Sequence, residues 1–464
     1  MPDKKFDVLI IGGGVSGTAL LYELAKYTDL TSLGLVEKYD GIAKVNSHGH
    51  NNSQTIHCGD IETNYTVDKA RTVKRTADMI VHYATRLPAE ERDKIIFKMP
   101  KMVLGVGKTE CDYIRKRYTE FKELFPKMEL LEKEDIAKIE PNVAMINGEL
   151  RKDEIVATGT VDAYSAADYQ ALSESFVSEV KKIEGKNIEL MLGAEVIDIE
   201  KVGSNHVVKT SKGEFEARFV VVCAGGHSLL FAQKMGYGLE FSCLPMAGSF
   251  YFAPQALNGK VYTVQNPHLP FAAVHGDNDV KALGKTRFGP TALMLPMLER
   301  YCPSSFWDFL KVLRLDSNVA KVFYDLFKVR DIRNYIFRNF LFEVPYINRR
   351  LFLKDIKKII PSLTVDDISY AKGFGGVRPQ LIDKKNRKLM MGEAKINPGT
   401  GIVFNMTPSP GATSCLGNAE RDMRIVADYL GCTIDEEAFS RDLLTPIEEL
   451  GAVQEPNEAD AVSA

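Results

Sequence analysis

Three glycines, Gly12, Gly14 and Gly17, stand at a spacing that can hold a pyrophosphate. The first permits a tight turn, the second lets backbone N–H groups approach phosphate oxygens, and the third lets a helix pack closely on a strand. A helix N-terminus at that point adds partial positive charge. Glu37 closes the next apolar run, where an acid can accept hydrogen bonds from a ribose diol. A second chemistry-bearing stretch, residues 47–60, is Ser-His-Gly-His-Asn-Asn-Ser-Gln-Thr-Ile-His-Cys-Gly-Asp. It has no apolar periodicity and reads as a loop that passes near the ligand. Its three histidines have no cysteine or carboxylate at a ligand spacing, so no metal is expected there.

These residues need a scaffold, and the flanking sequence supplies one. Phe6 to Ile11 is an apolar run of the kind that forms a buried parallel strand, Leu20, Leu21 and Leu24 recur at helical spacing, and Leu33 to Val36 is a second strand. The unit is βαβ. A further buried run, Phe219 to Val222, ends in Ala224-Gly225-Gly226, where small residues again permit close backbone approach to a ligand. Paired with the glycine fingerprint, it weighs toward FAD over NAD. Gly411-Ala412-Thr413-Ser414 precedes a helix from Leu416 to Leu430, whose N-terminus can stabilise a flavin ring that becomes anionic on reduction. Elsewhere the pattern predicts helices over 67–86, within 111–131 and over 164–182, with strands over 95–107, 196–199, 206–210 and 239–300.

A chain of 464 residues is long enough for two domains, which can be interleaved. A net charge of −3 and no basic bias argue against nucleic acid as a partner. Seven scattered cysteines without C-x-x-C spacing read as free thiols in a reducing compartment. A strand beginning at Phe6 leaves no room for a signal peptide, and no apolar run reaches membrane-spanning length, so a cytoplasmic bacterial protein is expected. From Phe306 to Phe327 the apolar residues trace a helical stripe, and from Lys321 to Ile360 there are ten Lys/Arg against four Asp/Glu, interleaved with aromatics. The segment after Gly451 is acidic and small, and is expected to be disordered.

Taken together, the glycine fingerprint with Glu37, Asn52 to His57, Val221 to Gly225, Phe288-Gly289-Pro290-Thr291-Ala292, Gly376-Val377-Arg378-Pro379 and Ser409-Pro410-Gly411 resemble the FAD-dependent oxidoreductases of the D-amino-acid oxidase and L-2-hydroxyglutarate dehydrogenase group. Within that group, His57 to Thr66 is most similar to the shorter bacterial form of malate:quinone oxidoreductase. The resemblance implies a mixed α/β and α+β fold. A Rossmann-like FAD-binding domain, 1–85, 157–235 and 370–440, would be interleaved with a second, substrate- and membrane-facing domain, 86–156 and 236–369, built on an antiparallel sheet with helices. The tail is 451–464. It also implies oxidation of (S)-malate to oxaloacetate, electron transfer to membrane quinone, and peripheral attachment to the cytoplasmic face of the bacterial inner membrane. Another 2-hydroxyacid dehydrogenase or oxidase of the same group, including an L-2-hydroxyglutarate enzyme, is the alternative. The expected cofactor-binding residues are Gly12, Gly14, Val15, Ser16, Gly17, Glu37, Lys38, Asn52, Ser53, Val196, Ala224, Gly225, Gly376, Gly411, Ala412, Thr413 and Ser414.

Oxidising a secondary alcohol requires a hydride to leave carbon while a base takes the hydroxyl proton, and histidine suits the base at neutral pH. His57 and His275 are both candidates, with His57 favoured because its loop follows directly from the nucleotide-binding unit. In this group the arginine of Gly-x-Arg-Pro binds the substrate carboxylate beside the flavin, which makes Arg378 the expected carboxylate anchor. Its planar fork fixes orientation as well as charge. Gln54, Thr55 and Arg287 are candidates for the second carboxylate by loop context. The apolar stripe and basic run of 306–360, including Phe337, Phe340, Phe342, Tyr346 and Phe352, suit a surface lying in the lipid interface.

Overall fold

The structure is a computed structural model and describes residues 2–265, 273–390, 393–407 and 411–452. Ser409 and Pro410, and all but the first two residues of the expected tail, lie outside the described residues.

β1 (Lys4–Ile11) is the centre of a parallel sheet because its apolar residues are covered on both faces. β2 (Ser32–Glu37) pairs along one edge, Val8 opposite Leu33, and carries Asn187–Leu192 outside it. β3 (Gly213–Val222) pairs along the other, Val8 opposite Phe219. The last residues of β3 pair in parallel with Ile402–Met406, while its first half carries the antiparallel ribbon Val196–Val202 and Asn205–Thr210. α1 (Val15–Tyr27) joins β1 to β2 and packs against the helices Tyr169–Lys181 and Cys415–Leu430, burying Leu20, Leu24, Phe176 and Leu416. The helix expected from Tyr164 starts later. Tyr164–Ala167 pairs instead with Ile96–Lys98, and Asp168 caps the helix by accepting from the N–H groups of Gln170 and Ala171.

One residue of α1 carries a stability consequence. Glu23 is completely buried, and neither carboxylate oxygen has a hydrogen-bond partner among the described residues. Burial, with Glu420 and Asp422 nearby, pushes its pKa well above the ordinary carboxylate range. The folded state therefore holds a proton that the unfolded chain releases, so stability falls as pH rises above the unfolded carboxylate pKa. Glu23→Gln is expected to raise the unfolding free energy at neutral pH by roughly 1–3 kcal/mol, seen as a higher denaturation midpoint, and to leave it unchanged in acid. A midpoint difference that did not depend on pH would contradict this.

The second body is an eight-stranded sheet, ordered Ser369–Tyr370, Tyr251–Pro254, Lys285–Gly289, His275–Asn278, Lys260–Thr263, Lys101–Val106, Ile155–Thr160 and Glu129–Leu131. Its pairs are antiparallel except between Lys260–Thr263 and Lys101–Val106. A separate four-stranded antiparallel sheet includes Val377–Asp383, which pairs along its whole length with Phe241–Ala247. That pairing crosses the boundary expected at 370.

Residues 305–359 form four short helices, α2 (Ser305–Leu313), α3 (Ser317–Lys328), α4 (Arg330–Leu341) and α5 (Asn348–Ile359). The single stripe expected over 306–327 is broken at Arg314, whose left-handed backbone ends α2, and Asp316 caps α3. Phe309, Val312, Val319 and Val322 face inward. Phe342 and Phe352, expected at a lipid surface, are instead core residues: Phe352 stacks on Tyr251 at 4.3 Å and meets Phe342 edge-on. The outer faces keep Trp307 (64% exposed), Phe337 (63%), Phe340 (56%) and Tyr346 (92%) in solvent. No helix among the described residues is long and apolar enough to cross a membrane.

Candidate active site

The C-terminal ends of β1, β2 and β3 and the start of α1 open onto one cavity of about 770 Å³. Gly12, Gly14, Val15, Ser16, Glu37, Lys38, Asn52, Ser53, Val196, Ala224 and Gly225 line it, as do Thr55, His57, Gly376, Arg378, Gly411, Ala412 and Thr413. Two residues of the expected cofactor set do not reach the wall. Gly17 is used for packing, since a Cβ there would lie 2.0 Å from the Gly12 carbonyl oxygen. Ser414 is buried behind the loop, and its carbonyl accepts from the Asn418 N–H of the following helix.

The remaining glycines divide by what stands in front of them. Gly12 has a φ of +112°, and a Cβ there would meet the Cys223 carbonyl oxygen at 2.4 Å, so the turn itself excludes a side chain. At Gly14 a Cβ would find only the Ser47 Oγ, at 3.3 Å, and at Gly225 only the Asn46 Nδ2, at 4.0 Å. Space in front of these two belongs to the cavity. No acidic side chain occupies the first turn of α1, and the Val15 N–H donates to Ser47 Oγ at 2.9 Å. The donors and positive end of α1 are therefore suited to a phosphate-bearing ligand. Glu37 accepts from the N–H groups of Gly13 at 2.6 Å and Tyr39 at 2.9 Å, which aims its carboxylate along the wall, and burial raises its pKa. Lys38 does not point a free charge at a ligand, because it pairs with Glu299, which also accepts from the Tyr39 hydroxyl.

The polar loop owes its shape to buried cations of the second body. Lys260 donates to the Ser53 carbonyl (3.0 Å), Lys101 to Ile56 (3.2 Å) and Arg287 to Gly49 (3.2 Å), while the Tyr169 hydroxyl donates to Thr55 (2.7 Å). These contacts supply partners for backbone carbonyls that no helix or sheet serves. Asn46 performs a similar service for Arg378: its amide both accepts from the Val377 N–H (3.1 Å) and donates to the Val377 carbonyl (3.0 Å). The Gly375 N–H donates to His50, whose ring stacks on Phe374 at 4.1 Å.

At the cavity wall, Arg378 is partly buried. Burial lowers its pKa, while the neighbouring phenols Tyr262 and Tyr335 oppose that shift, and no carboxylate among the described residues lies within ion-pair distance of it. His57 reaches the same cavity. Its Nδ1 lies 2.5 Å from Glu62 Oε1, its Nε2 lies 3.4 Å from Ser53 Oγ, and its backbone N–H donates to Thr413 Oγ1. Thr55 shares a 2.7 Å hydrogen bond with the Tyr262 hydroxyl.

Three candidates from the sequence are drawn away from this group. His275 does not line the cavity. It is buried behind Tyr262, stacked on it at 4.1 Å, with Nε2 3.2 Å from Asp277, and burial lowers its pKa. Gln54 is fully buried: its Nε2 donates to Gly49 and Asp279, and its Oε1 accepts from Val280. Arg287 is fully buried against Asp279, with its guanidinium over the Phe250 ring. Gln54 and Arg287 thus build the floor under the loop and present no free donor to the cavity.

Glu62, Asn46 and Ser47, each in or beside the polar loop, join the site without being distinguished from their polar neighbours in sequence, and Tyr262 carries no local signal. Among the described residues no group of three or more His, Cys, Asp or Glu could hold a metal ion.

Solved structures with the same fold include L-α-glycerophosphate oxidase from Mycoplasma pneumoniae with FAD bound, at a TM-score of 0.62 and 21% identity over 93% of this chain and 96% of that one. Glycine oxidase from Geobacillus kaustophilus matches at a TM-score of 0.59 and 17% identity, covering 92% and 95%. A probable malate:quinone oxidoreductase of Campylobacter jejuni is 52% identical over 96% of this chain and 100% of its own length. The malate:quinone oxidoreductase of Helicobacter pylori is 48% identical over 95% and 98%. Human mitochondrial L-2-hydroxyglutarate dehydrogenase is 26% identical over 89% and 87%. The malate:quinone oxidoreductase family model matches residues 4–420, and with that extent of match and those identities the chain belongs to the malate:quinone oxidoreductase family.

Proposed function

We propose that this protein oxidises (S)-malate to oxaloacetate with FAD held in the cavity, and delivers the electrons to quinone at a membrane surface. The observation that carries the proposal is Arg378, a cation in the cavity wall with no carboxylate partner among the described residues, lining the same cavity as a histidine already engaged by an acid. A buried cation without an anion is costly, and a substrate carboxylate offsets that cost. Gly12, Gly14, the start of α1, Glu37 and Gly225 would hold the cofactor. FAD, when bound, supplies the acceptor for the hydride leaving malate C2. Arg378 orients one carboxylate, and His57 Nε2 takes the hydroxyl proton as the carbonyl forms. Thr55 offers a hydroxyl at the same wall, held from behind by its hydrogen bond with the Tyr262 hydroxyl.

The discriminating experiment is anaerobic titration of the FAD-loaded protein with malate, L-2-hydroxyglutarate, lactate and glycerol 3-phosphate, followed by flavin absorbance. Malate is expected to bleach the flavin at the lowest concentration. Preferential reduction by L-2-hydroxyglutarate would overturn the substrate assignment.

The outer faces of α2, α3 and α4 support the membrane part of the proposal. Trp307, Tyr324, Phe337 and Phe340 are exposed alongside Lys321, Lys328, Arg330 and Arg333, a combination suited to an anionic lipid interface. Of the cations on α5, Lys358 pairs with Glu110 and Arg349 donates to the Val365 and Ile368 carbonyls, so the aromatics are the cleaner target. Burying one large apolar side chain is worth about 1.5–3 kcal/mol. Combining Trp307→Ser, Phe337→Ser and Phe340→Ser should therefore lower partitioning onto anionic vesicles by roughly a hundredfold or more. Malate reduction of the flavin should be spared. Undiminished sedimentation with vesicles would show that lipid contacts another face.

A further inference from the structure

We infer that Glu62 is the positioning residue of the proton-accepting histidine: its carboxylate holds His57 Nδ1–H, and so leaves Nε2 unprotonated toward the cavity. The inference rests on the reading of His57 as the base. The carboxylate has no other evident use. One oxygen lies 2.5 Å from His57 Nδ1, and the other is buried without a hydrogen-bond partner among the described residues. A histidine donating from Nδ1 to an acid keeps its other nitrogen as the acceptor, and the acid stabilises the imidazolium that forms when a proton arrives.

The surroundings keep Glu62 charged and fixed. Burial alone would raise its pKa, but the hydrogen bond from His57 and the Lys101 ammonium outweigh that and hold it below the ordinary value. Lys101 comes from the neighbouring strand and is itself paired with Asp60 at 2.9 Å. From the helix Lys108–Phe121, the buried Arg117 guanidinium donates to the backbone carbonyls of Gly59, Glu62 and Tyr65 while lying over the Phe121 ring. The loop between His57 and Tyr65 is thus tied down on the side away from the cavity. On the cavity side, His57 faces Ser53 Oγ and the edge-on ring of Tyr262, behind which His275 is stacked. Tyr65, Cys58 and Tyr262 also lie near Glu62, and burial keeps all three neutral by raising their pKa values.

The test uses FAD-loaded Glu62→Gln, Glu62→Asp and His57→Asn proteins, each checked for cofactor content, with malate-driven flavin reduction measured anaerobically against pH. Glu62→Gln is expected to reduce flavin about ten- to a hundredfold more slowly, at unchanged KM for malate, with the acid limb of its rate profile moved about one to two units lower. Glu62→Asp keeps the charge and should retain the wild-type position of that limb. In ¹⁵N-histidine spectra of the protein without malate, one strongly hydrogen-bonded Nδ1–H signal should be present in the wild type, shifted toward that of a weaker hydrogen bond in Glu62→Gln, whose neutral amide oxygen is the poorer acceptor, and absent from His57→Asn. A Glu62→Gln protein with the wild-type rate and profile would overturn the inference, as would equal slowing of both Glu62 variants with the acid limb in place. Wild-type flavin reduction by His57→Asn would instead overturn the assignment of the base itself.

Discussion

Replacing Arg378 by lysine is expected to slow malate-driven flavin reduction by one to two orders of magnitude while leaving FAD content unchanged. Lysine retains the charge but presents one compact ammonium in place of a planar fork, so a charge-assisted hydrogen bond worth about 1.5–3 kcal/mol is lost and the carboxylate can rotate. Arg378→Ala should cost more, on the order of 3–5 kcal/mol in kcat/KM, because a carboxylate would then be desolvated with no cation opposite it. The backbone at this point is held by Asn46 clasping Val377, not by the guanidinium, so neither variant is expected to unfold the strand. Unaltered malate kinetics in Arg378→Lys would remove Arg378 from the substrate site.

Gly14→Val should yield a folded protein that cannot hold FAD. The space in front of Gly14 is open except for the Ser47 hydroxyl, so a side chain there displaces a ligand and little else. Gly17→Val is the contrasting control. Its Cβ would lie 2.0 Å from the Gly12 carbonyl oxygen, which forces β1 and α1 apart, and soluble protein should be lost together with the cofactor. Flavin absorbance per chain and circular dichroism separate the two outcomes. A Gly14→Val protein that purifies with a full complement of FAD would show that the pyrophosphate does not lie at this turn.

The local parts of the architecture were legible along the chain. β1, the glycine turn, α1 and β2 follow one another, and each is encoded by its own periodicity, so the cradle and Glu37 could be located without knowing what packs on them. Arg378 stood out for a different reason, the resemblance of its short Gly-x-Arg-Pro element to the carboxylate-binding arginine of the flavoprotein group. The choice between His57 and His275 was of another kind. His275 pairs across the sheet with Tyr262, two positions from Asp277, and that register turns it into a stacked, buried residue behind the site. Lys101, Lys260 and Arg287 look like ordinary strand cations in sequence, yet the order of the strands brings each against an acid and a loop carbonyl. Asn46 meets Val377 across 331 residues of chain, a contact that no local pattern encodes. Phe340 and Phe352 occupy similar amphipathic helices, and only the Tyr251 strand beneath α5 decides that Phe352 is core while Phe340 is exposed. Backbone periodicity and glycine sterics act between near neighbours and can be read in order. Burial, counter-charge and the direction in which a side chain faces are set by which distant elements meet, and those were decided by the tertiary structure.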